Sequence, residues 1–480
     1  MSDTELLWRP AVELAAMVHQ GEISPRELTE ASLERIEAVN PALNHFTLTD
    51  PDGALAVADG ISAGDDRPFA GIPIAIKDLT TPVAGLRMSQ GSDLVGEFTP
   101  DYDAAIVRRI RAAGFVIVGK TNTPEVGILP VTEPRRWGPA RNPWDPERTT
   151  GGSSGGAAGA VASGAVPVAH GSDGGGSIRI PAACCGLVGL KPSRGRISQA
   201  PDLGDSVLVQ HGAETRTTAD AAAVLDLLAG PEPGDASWAP PPVEPFAATM
   251  VRDPGRLRIA LCLERPIECD LDPVAAQGAR DGAALLEGLG HAVEEVPAPW
   301  ADSHLLETFS VLWASNISLA VRHCELLAGR EANFEDVEPL TWWLHELGQQ
   351  ITAPAYLGAL AILQAHSREV VALWERYDLA LTPALARRPV RQGEIDPCGE
   401  EPAREFRESG HFTPYTALFN VTGQPAISVP LFHADDGLPL GIQLVGPPLG
   451  EGLLLAVCRQ LEEAAPWADR MPPEPIGDRE

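Results

Sequence analysis

The chain has 480 residues, and its 66 Asp and Glu against 36 Lys and Arg give a formal charge of -30. An acidic surface of this kind repels phosphate backbones and anionic lipids, so we expect no nucleic-acid partner and no membrane partner. With 44% apolar side chains, no run near the roughly 18 apolar residues of a membrane span and no secretory signal, the sequence predicts a cytoplasmic protein with a large core.

The seven cysteines form an odd, scattered set without a CxxC pair or a histidine at metal-ligand spacing. We interpret them as reduced, mostly buried thiols, and we expect neither a metal nor an organic cofactor. The sequence is compatible with a homodimer but specifies no oligomeric state.

The first third of the chain predicts helices followed by an α/β core. Residues 10–39 carry apolar side chains at helical spacing, which indicates two helices, with Ser24 capping the second. Two short apolar segments, 71–79 and 114–121, are separated by a helical stretch over 104–113. This alternation is typical of an α/β sheet.

Lys77 follows the apolar run 72–76 in the first segment and is one of only three lysines, while Arg supplies the other 33 basic side chains. Arg stays protonated in proteins, whereas a desolvated Lys can lose its proton, so a site that needs a neutral amine must use Lys. The run 72–76 would carry the Lys77 stem into the interior. The alternative is an ion pair with Asp78 or with a helix C-terminus. We interpret Lys120 and Lys191 as structural residues at positions where a charge is solvated.

Residues 151–176 contain ten glycines. Large side chains are too few here for an ordinary helix-and-strand unit, which indicates close approach of the backbone. Two serine loops bound the region, GGSSGG at 151–156 and GSDGGGSIRIP at 171–181. A phosphate-binding loop is one interpretation, but neither loop has the GxxxxGK[ST] pattern or a lysine. A flexible linker is another, but it leaves the flanking apolar segments unexplained.

The first loop also satisfies the G-x-S-x-G pattern of an α/β-hydrolase elbow through Gly151, Ser153 and Gly155. That elbow needs a preceding strand, whereas residues 142–148 contain two prolines and no apolar run, so we expect no strand there. The remaining interpretation joins Ser153 with Ser177 of the second loop and with the candidate lysine.

Four successive backbone N–H groups lead up to the second serine. Because three of the four residues lack a Cβ, their donors can converge on one point, which is the arrangement of an oxyanion hole beside a nucleophile. These residues are Gly174, Gly175, Gly176 and Ser177.

The second half of the chain alternates strand and helix signals. A proline-rich segment over 231–245 predicts a surface loop. The strand signal RLRIALCL and an amphipathic helix over 273–288 follow. Helical periodicity dominates residues 303–376, strand signals return in LALTP and PAISVP, and the last dozen residues indicate a polar tail.

With these motifs the sequence resembles the amidase signature family. Lys77 in GIPIAIKDL, Ser153 in GGSSGG and Ser177 in GSDGGGSIRIPA match the family's lysine, bridging serine and nucleophilic serine in order and spacing. The similarity covers almost the whole chain, through KTNTPE, WGPARNPW, GLVGLKPSRGRIS, FNVTGQPAISVP and DGLPLGIQLVG. TEPRRWGPARNPW and VPVAHGSD resemble bacterial amidases related to 6-aminohexanoate-cyclic-dimer hydrolases. The chain departs from the family at Gly174, where a side chain is usual, and at Ala157, where Ser is frequent.

The resemblance implies an α/β fold with a mixed, largely parallel twisted sheet covered by helices on both faces. It also implies one amidase domain over 1–480, in place of the two or three domains that length alone suggests. Within that domain we expect N-terminal helices over about 10–40, the signature core over about 70–200 and a helical substrate-side region over about 303–376.

The resemblance further implies hydrolysis of a carboxylic amide, to carboxylate and ammonia or an amine, through a Ser177 acyl-enzyme. Neutral Lys77 takes a proton from Ser153, which takes one from Ser177 and later protonates the leaving nitrogen. The pKa of Lys77 must then fall from about 10.4 to roughly 7 to 8 by burial. In the family the bond between Gly152 and Ser153 is a cis peptide, and we expect the same here.

Further residues are expected around this centre. His170 lies close to both serines in sequence, and we interpret it as a structural residue at a strand end. Core packing is the simpler explanation for each candidate pocket residue. The residues expected to support the loop by charge-assisted hydrogen bonds are Ser154, Asp173 and Arg179. The candidate pocket residues are Ile128, Leu129 and Trp313.

Two other functions would use the same three residues. An A subunit of a glutamyl-tRNA amidotransferase works inside a complex, but the acidic surface and the helical region give no sign of a tRNA-handling partner. A cyclic-amide hydrolase of the 6-aminohexanoate-cyclic-dimer type is the second alternative. A catalytically silent scaffold is disfavoured because Lys77, Ser153 and Ser177 are intact. The expected partner is a small-molecule amide.

Overall fold

The computed structural model describes residues 6–204, 206–300 and 305–474. The first two residues of the predicted helical region, 303 and 304, and the last six of the predicted tail lie outside these ranges. The α-helices of the described ranges are α1 (Ala11–Gln20), α2 (Pro25–Leu43), α3 (Pro51–Asp59), α4 (Ala105–Ala112), α5 (Gly155–Ala162), α6 (Arg179–Cys185), α7 (Thr218–Leu228), α8 (Phe246–Met250), α9 (Pro273–Gly288), α10 (Leu305–Ala328), α11 (Pro339–Gln350), α12 (Ala353–Val371), α13 (Pro402–Phe412), α14 (Leu418–Val421) and α15 (Glu451–Ala464).

The strands form one large sheet and one small one. Those of the described ranges are β1 (Phe46–Thr49), β2 (Pro73–Lys77), β3 (Val116–Thr121), β4 (Arg141–Asn142), β5 (Asp145–Thr149), β6 (Val168–Asp173), β7 (Val188–Lys191), β8 (Gln210–Thr215), β9 (Arg258–Leu261), β10 (Ala292–Glu295), β11 (Leu379–Pro383), β12 (Ala426–His433) and β13 (Pro439–Val445). The large sheet has eleven strands in the order β1-β3-β2-β6-β8-β7-β12-β13-β11-β9-β10, and β4 pairs only with β5.

The large sheet is mixed, as the resemblance implied, although six of its ten described strand pairs are antiparallel and four are parallel. Its parallel pairs form two blocks, β3-β2-β6 near one end and β11-β9-β10 at the other. Antiparallel pairs join the two blocks through β8, β7, β12 and β13, and β1 pairs antiparallel at its edge. In a parallel block the carboxyl ends of the strands meet at one edge of the sheet, which is where side chains from separate segments can converge.

Side chains alternate between two cores, one on each face of the sheet. On β2, Ile74 and Ile76 enter one core while Ala75 enters the other. The first core is completed by α1, α4, α7, α8, α9 and α15. The core on the opposite face consists of two clusters and is completed by α3, α5, α6, α10, α11, α12, α13 and α14, while α2 contributes side chains to both faces. The expected helices on both faces are therefore confirmed. By strand alternation Lys77 belongs to the face that α5 and α6 cover.

The glycine-rich segment does form a helix and a strand, contrary to the expectation from its composition. It contains α5 and β6. A Cβ on Gly156 would lie 2.4 Å from the backbone nitrogen of Asn122, and one on Gly159 would lie 2.3 Å from the His45 ring. The small residues therefore serve close packing of a buried helix, which composition alone did not reveal.

A strand also precedes the GGSSGG loop, contrary to expectation. β5 pairs with β4 in a separate hairpin whose middle residues are exposed, so it needs no apolar run. Because β5 is not part of the large sheet, it does not supply the strand of an α/β-hydrolase elbow.

Several local predictions are confirmed. The Ser24 hydroxyl accepts the Glu27 backbone N–H at 3.1 Å, and the Glu27 carboxylate accepts the Ser24 N–H at 2.8 Å, which makes a capping box. The proline-rich residues 231–245 form a loop, and helices α4 and α9 lie where periodicity indicated. Within the described ranges, no helix is long and apolar enough to cross a membrane.

Candidate active site

The candidate site lies where β2 and β6 end. These strands run parallel, with Ile76 opposite His170 in register, so the last residue of β2, Lys77, lies close to the end of β6. Ser153 precedes α5 in the chain, and Ser177 precedes α6. Two strand ends and two helix starts therefore bring together residues that span 100 positions of sequence.

The Lys77 amine lies at the centre of a group of hydroxyls. Its Nζ is 2.8 Å from Ser153 Oγ, 3.0 Å from Ser154 Oγ and 3.2 Å from Ser172 Oγ. The Ser172 carbonyl oxygen lies at 3.4 Å. Lys77 is fully buried. Among the described residues, these four oxygen atoms are the hydrogen-bond partners of its amine. Ser172 was not among the predicted site residues. Its position near the end of β6 is the sequence signal that could have indicated it.

Burial lowers the pKa of Lys77 to about 7, against the opposing charges of Asp173 and Glu214. This value agrees with the range that a proton-accepting amine requires. The alternative of an ion pair with Asp78 is wrong, because the Asp78 carboxylate accepts from Ser89 at 2.5 Å and faces Lys120 at 3.9 Å.

The expectation that the other two lysines are solvated is also wrong. Lys120 and Lys191 are both fully buried. Lys120 Nζ donates to the Thr81 carbonyl at 2.8 Å, and Lys191 Nζ donates to the carbonyls of Pro192 and Gln424 at 2.8 and 2.6 Å. Burial lowers the pKa of Lys120 to about 8 and that of Lys191 to about 7. What distinguishes Lys77 is therefore its serine partners and not its burial.

The two candidate serines lie on loops that a backbone hydrogen bond joins. The peptide bond between Gly152 and Ser153 is cis, as expected. The Ser154 N–H donates to the Ser177 carbonyl at 3.2 Å and so joins the two loops. In the described residues no hydrogen bond links Ser153 Oγ to Ser177 Oγ. Gly127, which lines the same cavity as Ser177, would place a Cβ 3.4 Å from Ser153 Oγ.

The glycine loop before Ser177 divides its backbone donors between two tasks. The Gly176 N–H donates to Asp173 Oδ1 at 2.8 Å, so this donor is committed to the protein. The N–H groups of Gly174, Gly175 and Ser177 have no protein acceptor among the described hydrogen bonds. Gly176 has a φ of +129°, and a Cβ there would lie 2.3 Å from Thr416 Oγ1, so glycine is required at this position.

Asp173 and Arg179 form a buried ion pair beneath the loop. Arg179 Nε donates to Asp173 Oδ2 at 3.0 Å and Nη2 donates to Oδ1 at 2.9 Å. Burial alone would raise the pKa of Asp173, but the charge and hydrogen bonds of Arg179 outweigh it and hold that pKa well below its ordinary value. The pair therefore stays ionised, and its carboxylate fixes the loop.

Sequence reasoning missed the partners that hold Arg179 from the other end of the chain. Arg179 Nη1 donates to the Thr416 carbonyl at 2.9 Å and to Gln443 Oε1 at 2.8 Å, and Nη2 donates to Asn420 Oδ1 at 2.7 Å. Asn420 Nδ2 in turn donates to Asp173 Oδ1 at 2.8 Å. We call this cluster of Asp173, Arg179, Thr416, Asn420 and Gln443 the arginine hub.

A cavity of about 100 Å³ opens beside Ser177. All three candidate pocket residues line it, Ile128, Leu129 and Trp313. Phe309 stacks on Trp313 with ring centroids 5.4 Å apart and lines the same cavity. These apolar residues therefore pack in the core and also line the cavity beside Ser177.

His170 pairs with another histidine in the core. Its Nε2 lies 3.1 Å from His211 Nδ1. Burial, and then the charge of His211, lower the pKa of His170 well below its ordinary value. In the part of the chain that the structure describes, neither ring is hydrogen-bonded to Ser153 or Ser177.

We therefore expect a His170→Gln variant to keep kcat for amide hydrolysis within about tenfold of the wild-type value, because Gln preserves a hydrogen-bonding side chain in the core. Steady-state kinetics on one amide, with the folded fraction measured by circular dichroism, checks this. A loss as large as that of a Ser177→Ala variant would instead assign the general base to His170.

Across the described ranges, no three His, Cys, Asp or Glu side chains are grouped so that they could hold a metal ion. The arrangement offers a buried amine whose pKa burial lowers to about 7, two serine hydroxyls, and backbone donors without a protein acceptor among the described hydrogen bonds. One of the serines, Ser177, lines an apolar cavity. Such a set suits nucleophilic attack on a carbonyl carbon.

Comparisons with known proteins agree with this chemistry. The family described as Amidase matches residues 27–455. A 6-aminohexanoate-cyclic-dimer hydrolase of Paenarthrobacter ureafaciens is 39% identical over 481 residues, with 97% of each chain covered. The solved structure of a 6-aminohexanoate cyclic dimer hydrolase complexed with substrate superposes with a TM-score of 0.93 at 38% identity, covering 98% of this chain and 99% of that one. A bacterial aryl acylamidase gives a TM-score of 0.87 at 26% identity, with 96% and 97% covered.

Proposed function

Because this chain belongs to the amidase signature family and hydrolyses carboxylic amides, we propose that Ser177 attacks the amide carbonyl while Lys77 and Ser153 relay its proton. The observation that carries the proposal is the buried Lys77 amine, 2.8 Å from Ser153 Oγ. An amine with a pKa of about 7 is largely neutral just above neutral pH and can accept a proton there.

In the first step Ser153 gives its proton to Lys77 Nζ and takes one from Ser177, whose oxygen forms a bond to the carbonyl carbon. The backbone hydrogen bond that joins the two serine loops, from the Ser154 N–H to the Ser177 carbonyl at 3.2 Å, supports this step, since catalytic hydrogen bonds often tighten only when substrate binds. The N–H groups of Gly174, Gly175 and Ser177 are free to stabilise the resulting oxyanion. Gly176 is left out of this role, because Asp173 already accepts its N–H.

In the second step the relayed proton returns through Ser153 to the leaving nitrogen, which departs as ammonia or an amine and leaves an ester on Ser177. Water then attacks that ester, and the same relay accepts the water proton and restores Ser177. Ser154, Asp173 and Arg179 are positioning residues, because their contacts hold the two serine loops.

The relay predicts that a Ser153→Ala variant loses about 10³-fold in kcat for an anilide but markedly less for the matched phenyl ester. An amide nitrogen must be protonated to leave, whereas a phenolate can leave unprotonated. Steady-state kinetics on an acetanilide and the corresponding phenyl acetate measures the difference. Equal losses of kcat on both substrates would show that Ser153 does not protonate the leaving group.

A cyclic-amide hydrolase is the second candidate function. It is supported by the 39% identity to a 6-aminohexanoate-cyclic-dimer hydrolase over 97% of both chains. Incubation of the enzyme with 6-aminohexanoate cyclic dimer, with the linear product separated by chromatography, tests it. Release of no linear product, under conditions where an anilide is hydrolysed, would restrict the activity to open-chain amides.

The amidotransferase A subunit is the weaker alternative. Such a subunit delivers ammonia inside a complex, whereas we propose an amidase that works with a small-molecule amide as its sole partner. Amide hydrolysis by the purified single chain would support the amidase, and dependence on added subunits and tRNA would support the alternative.

We further propose that the chain acts as one amidase domain in the cytoplasm. The continuous eleven-stranded sheet, with strands drawn from both halves of the chain, supports one domain. All seven cysteines are free thiols, and five of them are buried, which suits a reducing compartment.

A further inference from the structure

The cavity beside Ser177 carries no charge on the residues that the structure describes. Its lining consists of glycine, proline, aliphatic and aromatic side chains with three hydroxyl residues. Besides Ser177, these are Ser409 and Thr413, and each hydroxyl donates to a carbonyl of its own helix, at 2.8 Å to Glu405 and at 3.1 Å to Ser409. Neither hydroxyl hydrogen is therefore available to a ligand without breaking that bond.

The indole of Trp313 closes the cavity next to the nucleophile. A Cβ on Gly174 or Gly175 would lie 3.7 Å from the far edge of its benzo ring. That distance is ordinary van der Waals contact, so the ring lies next to the glycine loop. Among the described residues the Trp313 N–H has no hydrogen-bond partner. One neutral donor cannot stabilise an ammonium and offsets little of the desolvation of a carboxylate.

The size and polarity of the cavity together restrict the acyl group. An apolar cavity of about 150 Å³ is known to hold the six carbons of a benzene molecule, so about 100 Å³ suits an apolar group of about four carbons. An isolated ion moved from water into such surroundings loses its hydration without gaining a partner.

On these grounds we propose that the enzyme selects amides whose acyl group is uncharged and largely apolar, and that it rejects the amides of amino acids, glutamine included. This inference rests on the proposed role of Ser177 and names the substrate class of that same site. The charge of the acyl group, more than its length, then decides whether an amide is hydrolysed.

A panel of four primary amides tests the proposal on the unmodified protein, with ammonia release as the common readout. Hexanamide carries no charge, 6-aminohexanamide adds an ammonium at the far end, adipic acid monoamide adds a carboxylate there, and L-glutamine carries both charges. We expect kcat/KM for hexanamide to exceed that for each charged amide by at least about 100-fold. A kcat/KM for any charged amide within about tenfold of the hexanamide value would overturn the proposed selectivity but not the proposed amide hydrolysis. Ammonia from none of the four, in a preparation that hydrolyses an anilide, would overturn the acyl selectivity alone. A preparation that also fails to hydrolyse an anilide would overturn the proposed function as well.

A matched pair of variants checks that the lining itself makes the selection. Val421 lines the cavity and is buried, and Asp and Asn are close to it in size. Relative to Val421→Asn, we expect Val421→Asp to raise the ratio of kcat/KM for 6-aminohexanamide over hexanamide by at least about tenfold, because only the carboxylate offers the ammonium a partner. Equal ratios in the two variants would contradict the proposal, and if Val421→Asp does not fold, the amide panel still decides.

Discussion

A Ser177→Ala variant is expected to lose about 10⁴-fold or more of kcat for amide hydrolysis, because no acyl-enzyme can form without the attacking oxygen. The residual rate would come from the binding site and the backbone donors alone. Steady-state kinetics on an anilide measures the loss, and a fluorophosphonate probe should label the wild-type protein but not the variant.

The same change should leave the fold intact. Within the described residues the Ser177 side chain donates no hydrogen bond, and its carbonyl oxygen, which accepts from Ser154, is retained in alanine. We therefore expect a Tm within about 2 °C of the wild-type value. Residual activity above about one hundredth of wild type, in a folded variant, would mean that another group is the nucleophile.

A Lys77→Met variant is expected to separate activity from stability. Catalysis should fall by about 10³-fold or more, because methionine can accept no proton from Ser153. Stability should be unchanged or higher, because the fold holds the pKa of Lys77 at about 7 instead of 10.5. Keeping this amine buried costs on the order of 4 kcal/mol at neutral pH. Kinetics and thermal unfolding of the same preparation check both halves of the expectation.

The wild-type pH dependence follows from the same pKa. Below about pH 7 the amine is protonated, so kcat/KM should fall about tenfold per pH unit in acid. Between about pH 7 and 10.5 the unfolded chain binds a proton at Lys77 that the folded chain does not, so this residue makes the free energy of unfolding rise with pH in that window. The variant should lose both dependences.

Lys191→Met is the matched control, because Lys191 is equally buried and burial also lowers its pKa to about 7. Its amine binds two backbone carbonyls and no serine. We expect its kcat per folded molecule to stay within about threefold of wild type, whatever happens to stability. A comparable loss of activity in both variants would mean that burial of a lysine, and not the serine contact, is what the activity requires.

The sequence predicted the central features because they depend on local pattern. The run before Lys77 carries it along a buried strand, and the two serine loops each stand at the start of a helix. The pairing of Ser24 with Glu27 was likewise within reach, since a cap and its partner lie three residues apart. Each of these features depends either on contacts between residues a few positions apart or on a motif whose spacing in the sequence indicates its role.

The features that sequence reasoning missed depend on contacts between distant segments. Lys120 and Lys191 stand beside polar residues and turns, yet other segments cover them completely. The glycine-rich helix α5 could not be predicted from composition, because the reason for its small residues is the closeness of Asn122 and His45. Nothing near Arg179 indicates that its partners lie more than 230 residues further along the chain.

The arginine hub has a consequence for biosynthesis. Three of its members, Thr416, Asn420 and Gln443, leave the ribosome after more than four fifths of the polypeptide has been made. Until they arrive, Asp173 and Arg179 lack the neighbours that lock the loop before Ser177. A nascent or truncated chain is thus expected to be hydrolytically silent, and competence for hydrolysis arises only as translation nears its end.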